Sequence, residues 1–61
     1  MMFWGTLSGD RVRVAQMSTD HILNSIAWLV REAEMHDEKD GVDVRTWILT
    51  FTAELKRRNG V

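Results

Sequence analysis

The chain has 61 residues, of which 44% are hydrophobic and 28% are charged, and its net charge is −1. A chain this short forms one small domain, 1–61, near the lower size limit for folding alone. It contains no cysteine, and its two histidines, His21 and His36, are fifteen residues apart rather than clustered. Disulfides and structural zinc are thereby excluded as sources of stability, so we expect association with itself or a partner to complete the core.

No targeting or membrane segment is predicted. The first ten residues, MMFWGTLSGD, carry no basic segment, and their apolar run is too short for a signal peptide. No run of about 18 apolar residues, the length needed to cross a bilayer, occurs in the chain. The lack of cysteine is compatible with a reducing compartment, so we expect a cytoplasmic location and no membrane partner.

Residues 1–17 are predicted to form an arm or a β-hairpin. Two short extended runs flank Ser8, Gly9 and Asp10 in FWGTLSGDRVRV. Glycine and aspartate suit the positive φ of hairpin turns, and RVRV alternates with the period of a strand. An irregular arm that packs through Phe3 and Trp4 is the alternative.

A first helix is predicted over 18–36. Ser18 or Thr19 can cap it, and Asp20 suits the positive end of the helix dipole. With 100° between successive residues, the apolar side chains of this helix form one stripe that is expected to face a core. The stripe is broader than the contact seam of a coiled coil. Its members are Ile22, Ile26, Leu29 and Ala33.

An acidic turn over 37–43, DEKDGVD, is predicted to separate this helix from a second one over 44–60. Gly41 supplies the turn, and Gly60 suits the position just past a helix end. The second apolar stripe follows the helical period and consists of Val44, Trp47, Ile48, Phe51 and Leu55. The predicted fold is therefore mainly α: an antiparallel two-helix hairpin that dimerises into a four-helix arrangement.

Trp28 and Met35 lie seven residues apart, roughly opposite the core-facing stripe of the first helix. One interpretation is that the amino-terminal arm or a second copy of the chain covers them as ordinary core. The other is that they form a docking surface, because tryptophan and methionine are enriched at the centres of protein interfaces. Trp47 and Phe51 are the second candidate pair for such a surface.

Catalytic and metal sites are not indicated. If Gly41 is aligned with the glycine at the sixth position of an EF-hand calcium loop, His36 falls at the first position and Trp47 at the last. Both positions require a carboxylate, so the pattern does not fit. The two histidines lack a recognised ligand spacing and a carboxylate partner for nucleophilic catalysis. We therefore expect a non-enzyme with no metal and no cofactor.

One resemblance concerns the order of elements. The strand RVRVAQ, a helix capped at STD, the glycine-centred turn DGVDVRTWIL and a second helix are similar to ribbon–helix–helix DNA-binding proteins over 11–59. In that family two chains pair their strands into a ribbon that lies in the major groove. The resemblance implies that Arg11 and Arg13 contact base edges. The acidic turn would repel DNA phosphate, which makes nucleic acid a disfavoured partner.

The leading functional prediction is a small, non-catalytic protein-binding module that docks an apolar helical face against itself and another protein. Chains of this size are often accessory or inhibitory factors, including those of phages. A dimeric DNA-binding regulator that uses Arg11 and Arg13 is the first alternative. A structural subunit of a larger assembly is the second.

Overall fold

Residues 2–59 are described by a computed structural model, which contains two helices and two antiparallel β-hairpins. The strands and helices follow in the order β1 (Phe3–Gly5), β2 (Arg11–Arg13), α1 (Thr19–Glu32), β3 (Glu38–Lys39), β4 (Val42–Asp43) and α2 (Val44–Arg58), with a short 3-10 helix (Val14–Gln16) after β2. The predicted mainly α class is therefore wrong, and the fold is a small mixed α/β one. Among the described residues, neither helix is long and apolar enough to cross a membrane.

The first hairpin places Trp4 on the inside and Phe3 on the outside. Strands β1 and β2 pair with Trp4 opposite Val12 and Phe3 opposite Arg13. The turn closes with the Thr6 amide donating to the Asp10 carbonyl, and Gly9 adopts a φ of +93° that suits glycine. Because side chains alternate along a strand, Trp4 is buried while its neighbour Phe3 stays exposed. Of the two predicted alternatives for this segment, the structure has the hairpin.

Helix α1 begins where predicted but ends earlier. The Ser18 hydroxyl caps it by accepting from the His21 amide at 3.1 Å. The predicted helix continues to residue 36, whereas α1 ends at Glu32. The Glu32 carbonyl accepts from the amides of both Met35 and His36, which closes a tight turn there. The chain leaves the helix at this point because it must reverse direction to enter the next hairpin.

The second hairpin replaces the predicted acidic turn. Lys39 pairs with Val42 across a two-residue loop made of Asp40 and Gly41. Both loop residues have positive φ, 54° and 77°. Asp-Gly is the preferred pair for such a loop, because aspartate tolerates and glycine readily adopts the left-handed conformation. The acidic stretch is therefore a folded element rather than a solvated connection.

Helix α2 starts at a side-chain cap and runs to the end of the described chain. The Asp43 carboxylate accepts from the Arg45 amide at 2.8 Å. The helix ends at Arg58, and Asn59 is its carboxyl-terminal cap. The predicted end at residue 60 lies outside the described residues.

The core is built from all parts of one chain. Its buried side chains are Trp4, Met17, Ile22, Leu29, Val44, Trp47 and Phe51. Trp4 contacts Trp47 and Phe51 edge-on, at centroid distances of 5.0 and 5.2 Å. The first hairpin thus supplies the layer that the helix pair lacks. The prediction that a second copy completes a four-helix core is wrong, because Trp4 of the first hairpin closes the core of the helix pair within the same chain.

Arg58 ties the end of α2 to the start of α1. Its guanidinium donates to the Val14 carbonyl at 3.2 Å and to the Thr19 hydroxyl at 3.3 Å. Glu54 accepts from Arg58 at 2.8 Å and from Arg57 at 2.6 Å. Side-chain hydrogen bonds from Arg57 first, and from Arg58 second, lower the pKa of Glu54 to about 2.

We expect this cluster to make stability fall in acid. The folded-state pKa of Glu54 is depressed, so its contribution is present above the ordinary value of 4.5 and is lost as the pH falls toward 2. The Glu54→Gln variant should therefore show a flatter dependence of unfolding temperature on pH across this window. Circular dichroism melts from pH 5 to 2 would measure it. Glu34→Gln, at an exposed position, is the control, and parallel curves for all three proteins would contradict the prediction.

Candidate binding groove

An open groove of about 550 Å³ lies between α1 and the first hairpin. Helix α1 forms one side, the β1 strand and its loop form the other, and the turn of the second hairpin closes the bottom. The lining residues are Trp4, Gly5, Thr6, Leu7, His21, Asn24, Ser25, Trp28, Arg31, Lys39 and Asp40. Its volume falls within the range of small-ligand and peptide pockets.

The helical side is a single stripe of α1. His21, Asn24, Trp28 and Arg31 follow one another at three- and four-residue spacings, which places them along one face. Ten residues separate His21 from Arg31, so at 1.5 Å per residue the stripe is about 15 Å long. This stripe lies next to the buried face of α1, which contains Ile22 and Leu29. Trp28 therefore lies at the boundary between the buried face and the groove.

Two tryptophans form the apolar wall of the groove. The Trp4 and Trp28 rings meet edge-on, with centroids 6.1 Å apart. Trp4 is 5% exposed, whereas Trp28 retains 36% of its surface. One side of the Trp28 ring therefore packs against the buried Trp4, while another part of the ring faces solvent.

Lys39 crosses the bottom of the groove and joins its two sides. Its ammonium donates to the Gly5 carbonyl at 3.1 Å and to the Asp40 carboxylate at 2.7 Å. The same nitrogen lies 3.9 Å from the centroid of the Trp4 ring and 5.9 Å from that of Trp28. These contacts combine an ion pair with cation–π attraction, and they fix the first hairpin to the second.

Asp40 completes this connection. Its carboxylate accepts from the Gly5 amide at 2.9 Å as well as from Lys39. The hydrogen bond from Lys39, followed by that from the Gly5 amide, lowers the pKa of Asp40. The carboxylate is thus ionised at neutral pH, and its charge is balanced by Lys39.

Of the predicted docking residues, the structure brings only Trp28 into the groove. Met35 is 79% exposed in the turn after α1 and does not line the groove. Trp47 and Phe51 are fully buried, at 0% exposure. The structure thus places these two side chains in the core, and they present no surface to a partner in this fold.

Arg11 and Arg13 are both exposed on β2, two residues apart and therefore on the same side of the strand. The Arg13 guanidinium carbon lies 5.9 Å from the centroid of the Phe3 ring. Strand β2 pairs with β1 of its own chain, which differs from the two-chain ribbon that the family resemblance implies. DNA binding through these arginines stays a prediction.

Sequence reasoning missed most of the groove. The sequence indicates Trp4 only as a possible cover for the first helix, and it places Lys39 and Asp40 in an acidic turn. A local signal for the turn exists, because the pair Asp40-Gly41 favours a two-residue hairpin loop. The contacts of Lys39 with Gly5 span 34 positions and leave no local trace in the sequence.

A second cleft, of about 600 Å³, lies where α1 ends and α2 begins. Most of its lining is charged or polar, and the lining residues are Ala33, His36, Asp37, Glu38, Asp43, Val44 and Arg45. Such side chains stay hydrated at low cost and offer little apolar surface for a partner to bury. It is therefore the weaker candidate for a binding site.

Comparison of the chain with protein-family models, curated proteins and solved structures finds no significant match.

Proposed function

We propose that this chain is a small, non-catalytic protein-binding module that docks a segment of another protein in the groove beside Trp28. Accessory or inhibitory proteins act in this way, by occupying a surface rather than by transforming a substrate. The observation that carries the proposal is the one-third exposure of a tryptophan that forms the wall of an open groove of about 550 Å³.

The energetics of the groove favour docking. Tryptophan is the residue type most enriched among interface hot spots, where a large ring is buried with little loss of side-chain freedom. Trp28 is held by Trp4 at 6.1 Å, so its position is fixed before a partner arrives. A partner that finds a preorganised surface loses less conformational entropy on binding.

The shape of the groove suits a short segment. A stripe about 15 Å long accommodates four to five residues of an extended chain at about 3.3 Å per residue. Leu7 is exposed at the opposite rim and offers a second apolar contact. A peptide of this length could therefore contact both sides at once.

The proposal is tested by selecting binders from a displayed library of random twelve-residue peptides. We expect selected peptides to bind the natural chain and to lose at least tenfold in affinity for the Trp28→Ala variant, as for a hot-spot truncation of more than about 1.4 kcal/mol. Biolayer interferometry with synthetic copies of the peptides would measure the loss.

Leu49→Ala is the matched control, because Leu49 is exposed on α2 and does not line the groove. Circular dichroism of both variants would establish that each still folds. Peptides that bind all three proteins equally would contradict the proposal, and so would peptides that depend on Leu49 instead.

A further inference from the structure

We infer that the groove selects an acidic segment, in which a large apolar side chain packs on Trp28 and a carboxylate pairs with Arg31. This inference rests on the proposed function and specifies the chemistry of the partner. It depends on the charges that line the groove and on the spacing of two residues along α1.

The groove is positively charged in a chain whose net charge is −1. Its ionisable lining residues are His21, Arg31, Lys39 and Asp40. Lys39 and Asp40 form an ion pair with an N–O distance of 2.7 Å and so neutralise each other. Arg31 makes no ion pair within residues 2–59, and it is exposed. A bound carboxylate would supply the opposite charge.

The acidic residues nearest on α1 do not cancel this charge. Glu32 follows Arg31 directly, but adjacent residues on a helix point about 100° apart, and Glu32 does not line the groove. Asp20 precedes His21 and is likewise outside the lining. Within the described chain, Glu34, three residues after Arg31, forms no ion pair with it and does not line the groove, so the only acidic residue in the lining is the paired Asp40.

The spacing of Trp28 and Arg31 determines the spacing of the ligand groups. Residues three apart on a helix have Cβ atoms roughly 5–6 Å apart. In an extended peptide, residues i and i+2 lie on the same side and are about 6.6 Å apart. The expected ligand therefore has a large apolar residue at one position and glutamate or aspartate two positions later. At this spacing the apolar side chain can pack on Trp28 while the carboxylate pairs with Arg31.

The test uses two acetylated and amidated heptapeptides of glycine and serine that differ at one position. One contains phenylalanine, serine and glutamate in succession, and the other has glutamine in place of glutamate. Titration into ¹⁵N-labelled protein at low salt would be followed by amide and indole chemical shifts. We expect shifts at Asn24, Trp28 and Arg31, with the glutamate peptide bound two- to fivefold more tightly, as for an exposed ion pair. Added salt should remove this difference.

Charge reversal sharpens the test. In the Arg31→Glu variant, a third peptide with lysine in place of glutamate should bind more tightly than the glutamate peptide. Arg45→Glu is the control, because Arg45 is exposed on α2 away from the groove and its reversal should leave the preference unchanged.

Two results would overturn the inference. Equal binding of the glutamate and glutamine peptides, with shifts in the groove, would remove the acidic preference and leave the proposed function standing. No groove shifts with any peptide up to about 5 mM would also overturn it. In that case the library selection decides the function separately, because a Trp28-dependent peptide without an acidic residue would still support docking.

Discussion

Replacing Trp4 with alanine is expected to remove roughly a third or more of the free energy of unfolding at 25 °C. Trp4 is buried, and its ring contacts Trp28, Trp47 and Phe51. Truncating a buried tryptophan costs about 3–5 kcal/mol, and 61 residues have a total stability of about 3–9 kcal/mol. Urea titration followed by far-ultraviolet circular dichroism would measure the loss.

The matched control is Phe3→Ala, one position earlier on the same strand. Phe3 is 38% exposed and points away from the core, so we expect a loss of less than about 1 kcal/mol. If both variants lost the same small amount, the first hairpin would be a dispensable arm rather than part of the core. The comparison therefore also tests the correction to the predicted fold.

The two helices were predictable because their apolar residues repeat with the helical period. Ile22 and Leu29 on α1, and Trp47 and Phe51 on α2, are fully buried as that period requires. The cap of α1 is predicted at Ser18 or Thr19 from local chemistry, and the structure has it at Ser18. These features are local, so they can be recognised from a few neighbouring residues.

The groove could not be predicted because it depends on contacts between distant parts of the chain. A helical wheel places Trp28 outside the helix pair but does not show that the Trp4 ring contacts it edge-on. The Gly5 amide reaches Asp40 across 35 positions, and no periodicity records this contact. The same limit produced the expected dimer, because a helix pair considered alone lacks the layer that the hairpin provides.

Substitution of the buried Trp47 is expected to cause the second large loss of stability. Its indole N–H donates to the Lys39 carbonyl at 2.7 Å, which connects α2 to the second hairpin, and its ring stacks on Phe51 at a centroid distance of 5.6 Å. We expect Trp47→Ala to lower the free energy of unfolding by about 3–5 kcal/mol, as for Trp4→Ala. Trp47→Phe keeps an aromatic ring but leaves the carbonyl without this donor, so it should cost about 1–3 kcal/mol.

The conservative variant separates packing from hydrogen bonding, because it should remain folded and loosen the second hairpin selectively. Hydrogen exchange should accelerate at the amides of β3 and β4, where Lys39 pairs with Val42, more than at those in the middle of α1. Thr46→Ala, at the exposed neighbouring position, should leave both regions unchanged. If the Trp47→Phe variant had the same stability and the same hydrogen-exchange rates as the natural chain, the hydrogen bond from Trp47 to the Lys39 carbonyl would not be what stabilises the second hairpin. The bottom of the groove would then be held by the contacts that Lys39 and Asp40 make with the first hairpin.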